Sequence, residues 1–222
     1  MRYRHELKYK INKNSAQILR LYLSKIMDID TNSYTDNTYK IRSLYFDNDS
    51  SDAYYEKQNG ILYREKYRIR YYNDDDSFIR LECKIKNNNL TFKKQVRISK
   101  EICEKILNND IYDINTNGLL QEFINKIKIN HLIPSVIVDY TRLAYTYPVS
   151  DVRITFDYNI KSGRYNYNLF SNIPTYDVLN DEEVVLEVKF NEFLPESIAI
   201  ILKTVPSLRE AVSKFALSRS IK

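Results

Sequence analysis

The chain has 222 residues, 43% hydrophobic and 28% charged, with 34 basic against 29 acidic side chains and a net charge of +5. That length buries a core without staples, and two cysteines outside any CxxC pair exclude a disulfide scaffold or a structural zinc site. Three glycines, with no GxxxxGK or GxGxxG, exclude a P-loop or a Rossmann turn.

Residues 3–11 alternate as a first strand, Ser15 is placed to cap a helix over 16–26, and the polar stretch 28–38 reads as a loop. Residues 40–47 form a strand, and 48–51 cap a short helix carrying Tyr54, Tyr55 and Lys57. Strands 62–72 and 78–86 are joined by a five-residue polar turn, Asn73-Asp74-Asp75-Asp76-Ser77, and 87–89 lead to a strand at 91–98. Helical patterns at 100–107 and 119–129 are expected to cover the outer face of the sheet. Strands resume at 135–147 and 151–158 around Pro148-Val149-Ser150, and 184–190 is the last. The tail from Pro195 is helical, broken at Pro206, with a final helix at 208–217. The expected fold is α+β: a closed antiparallel eight-stranded barrel with helices packed outside, one domain over 1–222 that includes the helices of 195–218. The first six residues lack the apolar core of a signal peptide, and no apolar run reaches the ~20 residues of a membrane helix, so a cytoplasmic protein is expected.

The strands place charge at every second position, as in Arg68-Ile69-Arg70, Glu82-Cys83-Lys84-Ile85-Lys86 and Glu187-Val188-Lys189. Residues i and i+2 share a face, so each strand has an apolar face and a mainly cationic one. The inward charges expected are Glu6, Lys8, Arg42, Arg68, Arg70, Glu82, Lys84, Arg142, Arg153, Glu187 and Lys189. So many cations around one space repel unless an anion compensates them. Arginine forks match phosphate oxygens, which makes condensed phosphate a suitable occupant. An open, solvated sheet face with scattered salt bridges is the alternative the pattern leaves standing. Glu6, Glu82 and Glu187 each precede a lysine by two positions. They are candidate hard ligands for Mg²⁺ or Mn²⁺ with phosphate completing the shell, or else plain Glu–Lys neighbours. Cys83 reads as a buried thiol, His5 and His131 as structural, and Tyr45, Tyr54, Tyr67 and Tyr140 as core aromatics rather than stacking platforms for nucleic acid.

Taken in order, several segments match a known pattern: His5-Glu6-Leu7-Lys8-Tyr9, Arg42-Ser43-Leu44-Tyr45-Phe46-Asp47, Arg68-Ile69-Arg70-Tyr71, Leu81-Glu82-Cys83-Lys84, Asp139-Tyr140-Thr141-Arg142, Val152-Arg153-Ile154-Thr155-Phe156-Asp157, Leu186-Glu187-Val188-Lys189 and Ser213-Lys214-Phe215. This ordered set resembles the catalytic domain of the vacuolar transporter chaperone (VTC) complex and its bacterial relatives, within the triphosphate tunnel metalloenzyme superfamily. The resemblance implies a tunnel of eight antiparallel strands and synthesis of inorganic polyphosphate from ATP by γ-phosphate transfer. It implies that Lys8, Arg68, Arg70, Lys84, Arg142, Arg153 and Lys214 bind the triphosphate and the growing chain. It also implies that Glu187 holds Mn²⁺ or Mg²⁺ and that Ser213 touches phosphate beside Lys214. A further lysine comes from the strand after Asn89, where strand parity favours Lys93 over Lys94. Lys189 and Arg42 join the substrate-binding candidates, and Glu6 and Glu82 join Glu187 as metal candidates. The superfamily's hydrolase branch opens with Glu-x-Glu-x-Lys; here Arg4 stands at the first acidic position, which leans away from that branch. Lys86 stands where fungal members carry histidine. Fungal members also carry a sensor domain and membrane helices; neither is expected from these 222 residues, so coupling to translocation is expected to need a separate membrane protein. Hydrolysis of a triphosphate or tripolyphosphate, and non-catalytic polyphosphate binding, stand as alternatives to the polymerase.

Overall fold

A strand with one charged and one hydrocarbon face needs different surroundings on its two sides, and the computed structural model provides them by closing the strands into a ring. It describes residues 3–33, 36–114, 116–209 and 212–221. In chain order the elements are β1 (Arg4–Asn12), α1 (Lys13–Leu23), β2 (Asp28–Ile29), β3 (Thr38–Asp47), α2 (Asp52–Gln58), β4 (Tyr63–Tyr72), β5 (Asp75–Asn87) and β6 (Leu90–Ile98). There follow α3 (Lys100–Leu107), α4 (Gly118–Asn130), β7 (Ile133–Tyr147), β8 (Val152–Ser162), β9 (Tyr176–Asp177), β10 (Glu183–Phe190), α5 (Glu196–Leu202), β11 (Leu208–Arg209) and α6 (Lys214–Arg219).

The strands run β3-β4-β5-β6-β1-β10-β8-β7 and return to β3, antiparallel at every step. Closure leaves few edges to protect. The ring is uneven: β6 meets β1 only at Arg4–Thr91 and His5–Leu90. Further along, β11 occupies the side of β1 that β6 does not reach, pairing Tyr9 with Arg209 and Lys10 with Leu208.

Outside the ring, Ile69, Leu81 and Cys83 pack under α3 and α4 through Cys103, Ile106, Phe123 and Ile124. On the other flank Ile154, Phe156, Leu186 and Val188 pack against Leu19 and Leu23 of α1 and Ile198 of α5. The expected helical cover is therefore present. Both cysteines are buried free thiols, and burial pushes each up to about 12. His5 stacks on Phe190 with ring centres 5.0 Å apart, and His131 closes α4 in a left-handed conformation.

Four local expectations change. Asn12, not Ser15, caps α1, its side chain accepting from the Ser15 amide at 2.7 Å. The β4–β5 turn is only Asn73-Asp74, both at positive φ (53° and 59°), the twist a tight hairpin requires, so Asp75 to Ser77 belong to the strand. The tail is not helical from 208 onward: Leu208 and Arg209 are extended because β1 offers them ladder partners, and 210–211 lie outside the described residues. The helix resumes only at Lys214, where the Ser213 hydroxyl accepts from the Ala216 amide. Finally, the inner face is not charged throughout. Val136, Val138, Ile160 and Val185 meet Val212 and Phe215 inside the ring, so the last helix, unlike the others, inserts its first turn into the interior.

Candidate functional site

The inward positions of the ring line a cavity of about 1160 Å³. Twelve of the fourteen residues singled out from the sequence lie on it: Glu6, Lys8, Arg68, Arg70, Lys84, Lys93, Arg142, Arg153, Glu187, Lys189, Ser213 and Lys214. They come from seven strands and from the segment entering α6, so closure of the ring is what gathers them. Lys93 faces inward to Glu82, whereas Lys94 pairs outward with Glu122.

Arg42 does not belong with them. It lies on the same side of β3 as Leu44 and Phe46, outside the ring, clamped two-pronged on Asp139 (2.9 and 2.8 Å) and on the Ser171 carbonyl (2.7 Å). Ser43, one position on, has the inward place and accepts from Arg70 at 2.8 Å. The reason is parity: Tyr45 and Ser43 face the cavity, so Arg42 cannot. Glu82 is 1% exposed and lies beneath the cavity surface rather than on it. Its oxygens are taken by Arg68 at 2.6 Å and Lys93 at 3.1 Å, with Arg70 at 3.8 Å. That carboxylate is occupied by the three cations it orients, where a metal ligand was expected. Burial would raise it, but Arg68, Arg70 and Lys93 hold it far below the ordinary carboxylate range.

Glu6 and Glu187 are different. They lie on adjacent strands and share Lys8 (3.9 and 3.4 Å). Glu187 also meets Lys189 at 2.6 Å and Arg142 at 3.7 Å, and Glu6 meets Lys84 at 2.5 Å. Burial opposes ionisation of Glu187, but Lys189 and Lys8 outweigh it and keep the carboxylate charged. One oxygen, Oε1 of Glu6, is buried without a hydrogen-bond partner. A carboxylate pair in which that oxygen meets only the Lys8 ammonium, at 3.9 Å, fits a hard divalent cation. Among the described residues no three acidic, histidine or cysteine side chains form a metal cluster, so the remaining ligands would be phosphate or water.

Sequence reading missed several participants. Asp157 is fully buried, held by Arg142 at 2.6 and 2.8 Å and by Lys214 at 2.5 Å; burial raises it, yet Arg142 and Lys214 bring it to about 2. Tyr45 and Tyr140 are not plain core aromatics: their hydroxyls accept from Arg68 and Arg70, each at 2.9 Å. Burial raises Tyr45, but Arg68 and Arg70 bring it down to about 8. Arg153 is held by Asp30, from the stretch expected to be loop, and by the Tyr39 hydroxyl at 2.9 Å. Lys66 and Arg80 also line the cavity. Strand parity with Arg68 and with Glu82 was the available signal.

The cost of gathering these cations is legible in two lysines. Burial brings Lys66 down to about 7, with Arg64, Lys57 and Lys84 adding to it. Burial also brings Lys189 to about 7, against the pull of Glu187 and Glu6. Unfolded lysine titrates near 10.4, so between pH 7 and that value the unfolded chain binds more protons and stability rises with pH. Below pH 7 both states are charged and the penalty is constant. Ligand-free protein is therefore expected to gain roughly 1–3 kcal/mol in urea unfolding between about pH 7 and 9. Lys66→Met should flatten that rise, and a fall over the same window would contradict the cation-crowded cavity.

The comparisons agree with this architecture. The VTC domain matches residues 3–221. No curated protein matches the sequence. The fold is similar to HpAC1 of Hippeastrum, described as an adenylyl cyclase with a dominant triphosphatase activity, with a TM-score of 0.59 at 16% identity, covering 98% of this chain and 95% of that one. It is also similar to the Bacillus halodurans protein bh2851, described as an adenylate cyclase (TM-score 0.52, 15% identity, 91% and 87% covered). A ring of eight antiparallel strands around a cation-lined cavity, matched over nearly its whole length, places this chain in the VTC domain family, on the triphosphate tunnel fold.

Proposed function

We propose that the protein is a polyphosphate polymerase that transfers the γ-phosphate of ATP to a growing inorganic polyphosphate chain. The observation that carries this reading is that the four carboxylates deep in the ring are ion-paired. Glu6 to Lys84, Glu82 to Arg68, Glu187 to Lys189 and Asp157 to Arg142 are all engaged. None of these four stands free to activate water, and a phosphate acceptor, already anionic, needs no such base.

Arg68, Arg70, Lys84, Lys93, Arg142 and Lys214 grip the triphosphate in the closed ring, while Lys8, Arg153, Lys189 and Ser213 contact the remainder of the bound anion. An oxygen of the acceptor's terminal phosphate attacks the γ-phosphorus in line, the bond to the β,γ-bridging oxygen breaks, and ADP leaves. The arginines hold charge where it develops on the equatorial oxygens. Glu187 and Glu6 would hold Mn²⁺ or Mg²⁺, which supplies further neutralisation of phosphate charge. No helix in the described residues is long and apolar enough to cross a membrane.

Hydrolysis is the second reading, favoured by the triphosphatase activity named for the similar Hippeastrum protein. The test is incubation with ATP and Mn²⁺, with products resolved by gel and by free-phosphate release. Long chains that disappear in Arg68→Ala and Lys214→Ala, each cutting synthesis by about a hundredfold or more, support the polymerase. Orthophosphate alone supports the hydrolase, and binding without turnover supports a polyphosphate-binding module.

A further inference from the structure

One mouth of the cavity carries a surface that phosphate chemistry does not use. After α2 the chain turns through Gly60, at φ 69°, into β4. Arg64, on the inner face of β4, donates to the carbonyls of Ile61 at 2.7 Å and Glu56 at 3.3 Å. From the neighbouring hairpin the Asn88 amide donates to the Leu62 carbonyl at 3.0 Å. The backbone of this turn is thus held from two sides, while the Ile61 and Leu62 side chains stay exposed at the edge of the cavity they help line. Leu62 is 67% exposed, Ile61 48%, Tyr63 53% and Leu90 36%. Tyr63 and Leu90 both pair with Asn87, so with Ile61 and Leu62 they form one apolar rim. Fixing hydrocarbon in water has no benefit to the isolated fold.

Immediately behind the rim, Lys57 and Lys86 line the mouth beside Arg64. Burial and neighbouring cations, Arg64 first, hold both lysines below their ordinary value. The outward carboxylate of Glu65 is already held by Tyr63 at 2.7 Å and Lys126 at 3.3 Å, which leaves Glu56 as the acidic neighbour of Arg64. Apolar side chains at the tip with cations one step behind match the boundary between hydrocarbon and anionic headgroups. A second copy fits poorly, because a two-fold contact would set these cations against their own counterparts.

We propose that this mouth docks on an anionic membrane surface, with Ile61, Leu62 and Leu90 entering the headgroup boundary and Lys57 and Lys86 meeting anionic headgroups. The cavity would then open toward the membrane. The proposal is independent of whether the cavity builds or cuts phosphate chains.

The chain has no tryptophan, so Leu62→Trp gives a single reporter at the tip. Its emission is expected to shift to the blue on adding phosphatidylcholine–phosphatidylserine vesicles at a ratio of roughly two to one, and not with phosphatidylcholine alone. Co-sedimentation of the wild type with the same vesicles should fall by about tenfold or more in Leu62→Asp and in Ile61→Asp, and should weaken with salt. Turnover of ATP in solution should be unchanged in both variants, which also shows that they fold. Equal binding to neutral vesicles, no binding, or a protein dimer that Leu62→Asp dissociates in place of vesicle binding would each overturn the proposal.

Discussion

Glu187→Gln is expected to lower metal-dependent phosphoryl transfer by about a thousandfold or more while leaving the triphosphate bound. The substitution keeps the size of the side chain and removes one negative charge from a position surrounded by Lys189, Lys8 and Arg142. Those cations gain freedom to meet phosphate, so calorimetric affinity for tripolyphosphate without metal should hold or increase. Affinity for Mn²⁺ in the presence of tripolyphosphate should fall, because Glu6 alone is left to anchor the ion. The two measurements separate roles that activity cannot. Turnover within a few-fold of wild type would show that Glu187 only orients lysines. Loss of tripolyphosphate binding would show instead that the interior had rearranged.

Asp157→Ala is expected to be the most destabilising single change in the cavity. Asp157 has no exposed surface and compensates Arg142 and Lys214, both themselves buried. Removing one member of a buried ion group leaves the others unpaired, at a cost of about 3–5 kcal/mol. The same carboxylate is held at about 2, so its contribution is present above the ordinary carboxylate value and is lost as pH falls through that range. Tripolyphosphate should restore part of the loss, since its oxygens can take the place of the missing carboxylate. A ligand at about a hundredfold its Kd stabilises by roughly 2.7 kcal/mol, and the variant should gain more than the wild type does. Urea unfolding with and without tripolyphosphate measures both. A loss under about 1 kcal/mol would mean that Arg142 and Lys214 are solvated without Asp157.

Both expectations follow from one property: the interior is a set of cations held apart by a smaller set of carboxylates. Arg68 with Glu82, Lys84 with Glu6 and Arg142 with Asp157 are pairs that fix geometry. The burial of so many cations, legible in Lys66 and Lys189 at about 7, is what an incoming polyanion relieves. This ties affinity to instability in the empty protein. A chain of condensed phosphate compensates repulsion that the fold otherwise carries.

Much of the site was legible because strand parity is a local rule. Arg68 and Arg70, Glu187 and Lys189, and Lys93 rather than Lys94 all follow from alternation every second residue. The same rule was available for Lys66, Arg80 and Asp157, which share faces with residues already identified. Arg42 went astray because its own strand contradicts it: Ser43 and Tyr45 take the inward face. Tyr45 and Tyr140 pattern as core in the sequence because a tyrosine's hydroxyl partner is invisible until the opposite wall is in place. Glu82 could not be told from Glu6 and Glu187 by spacing, since all three precede a lysine by two positions.

The order of strands and helices, the apolar and charged sides of each strand, and the exclusion of a nucleotide loop are set by the amino-acid sequence itself, through periodicity and composition. Only the tertiary structure decided which walls meet. Ring closure put Glu6 beside Glu187, Asp157 between Arg142 and Lys214, and Asp30 from a loop onto Arg153. It also carried Ser213 and Lys214 into the interior and left Glu82 buried beneath its arginines. The reason is that periodicity acts over a few residues, whereas ion pairing in a low-dielectric interior depends on distances set by strands far apart in the chain.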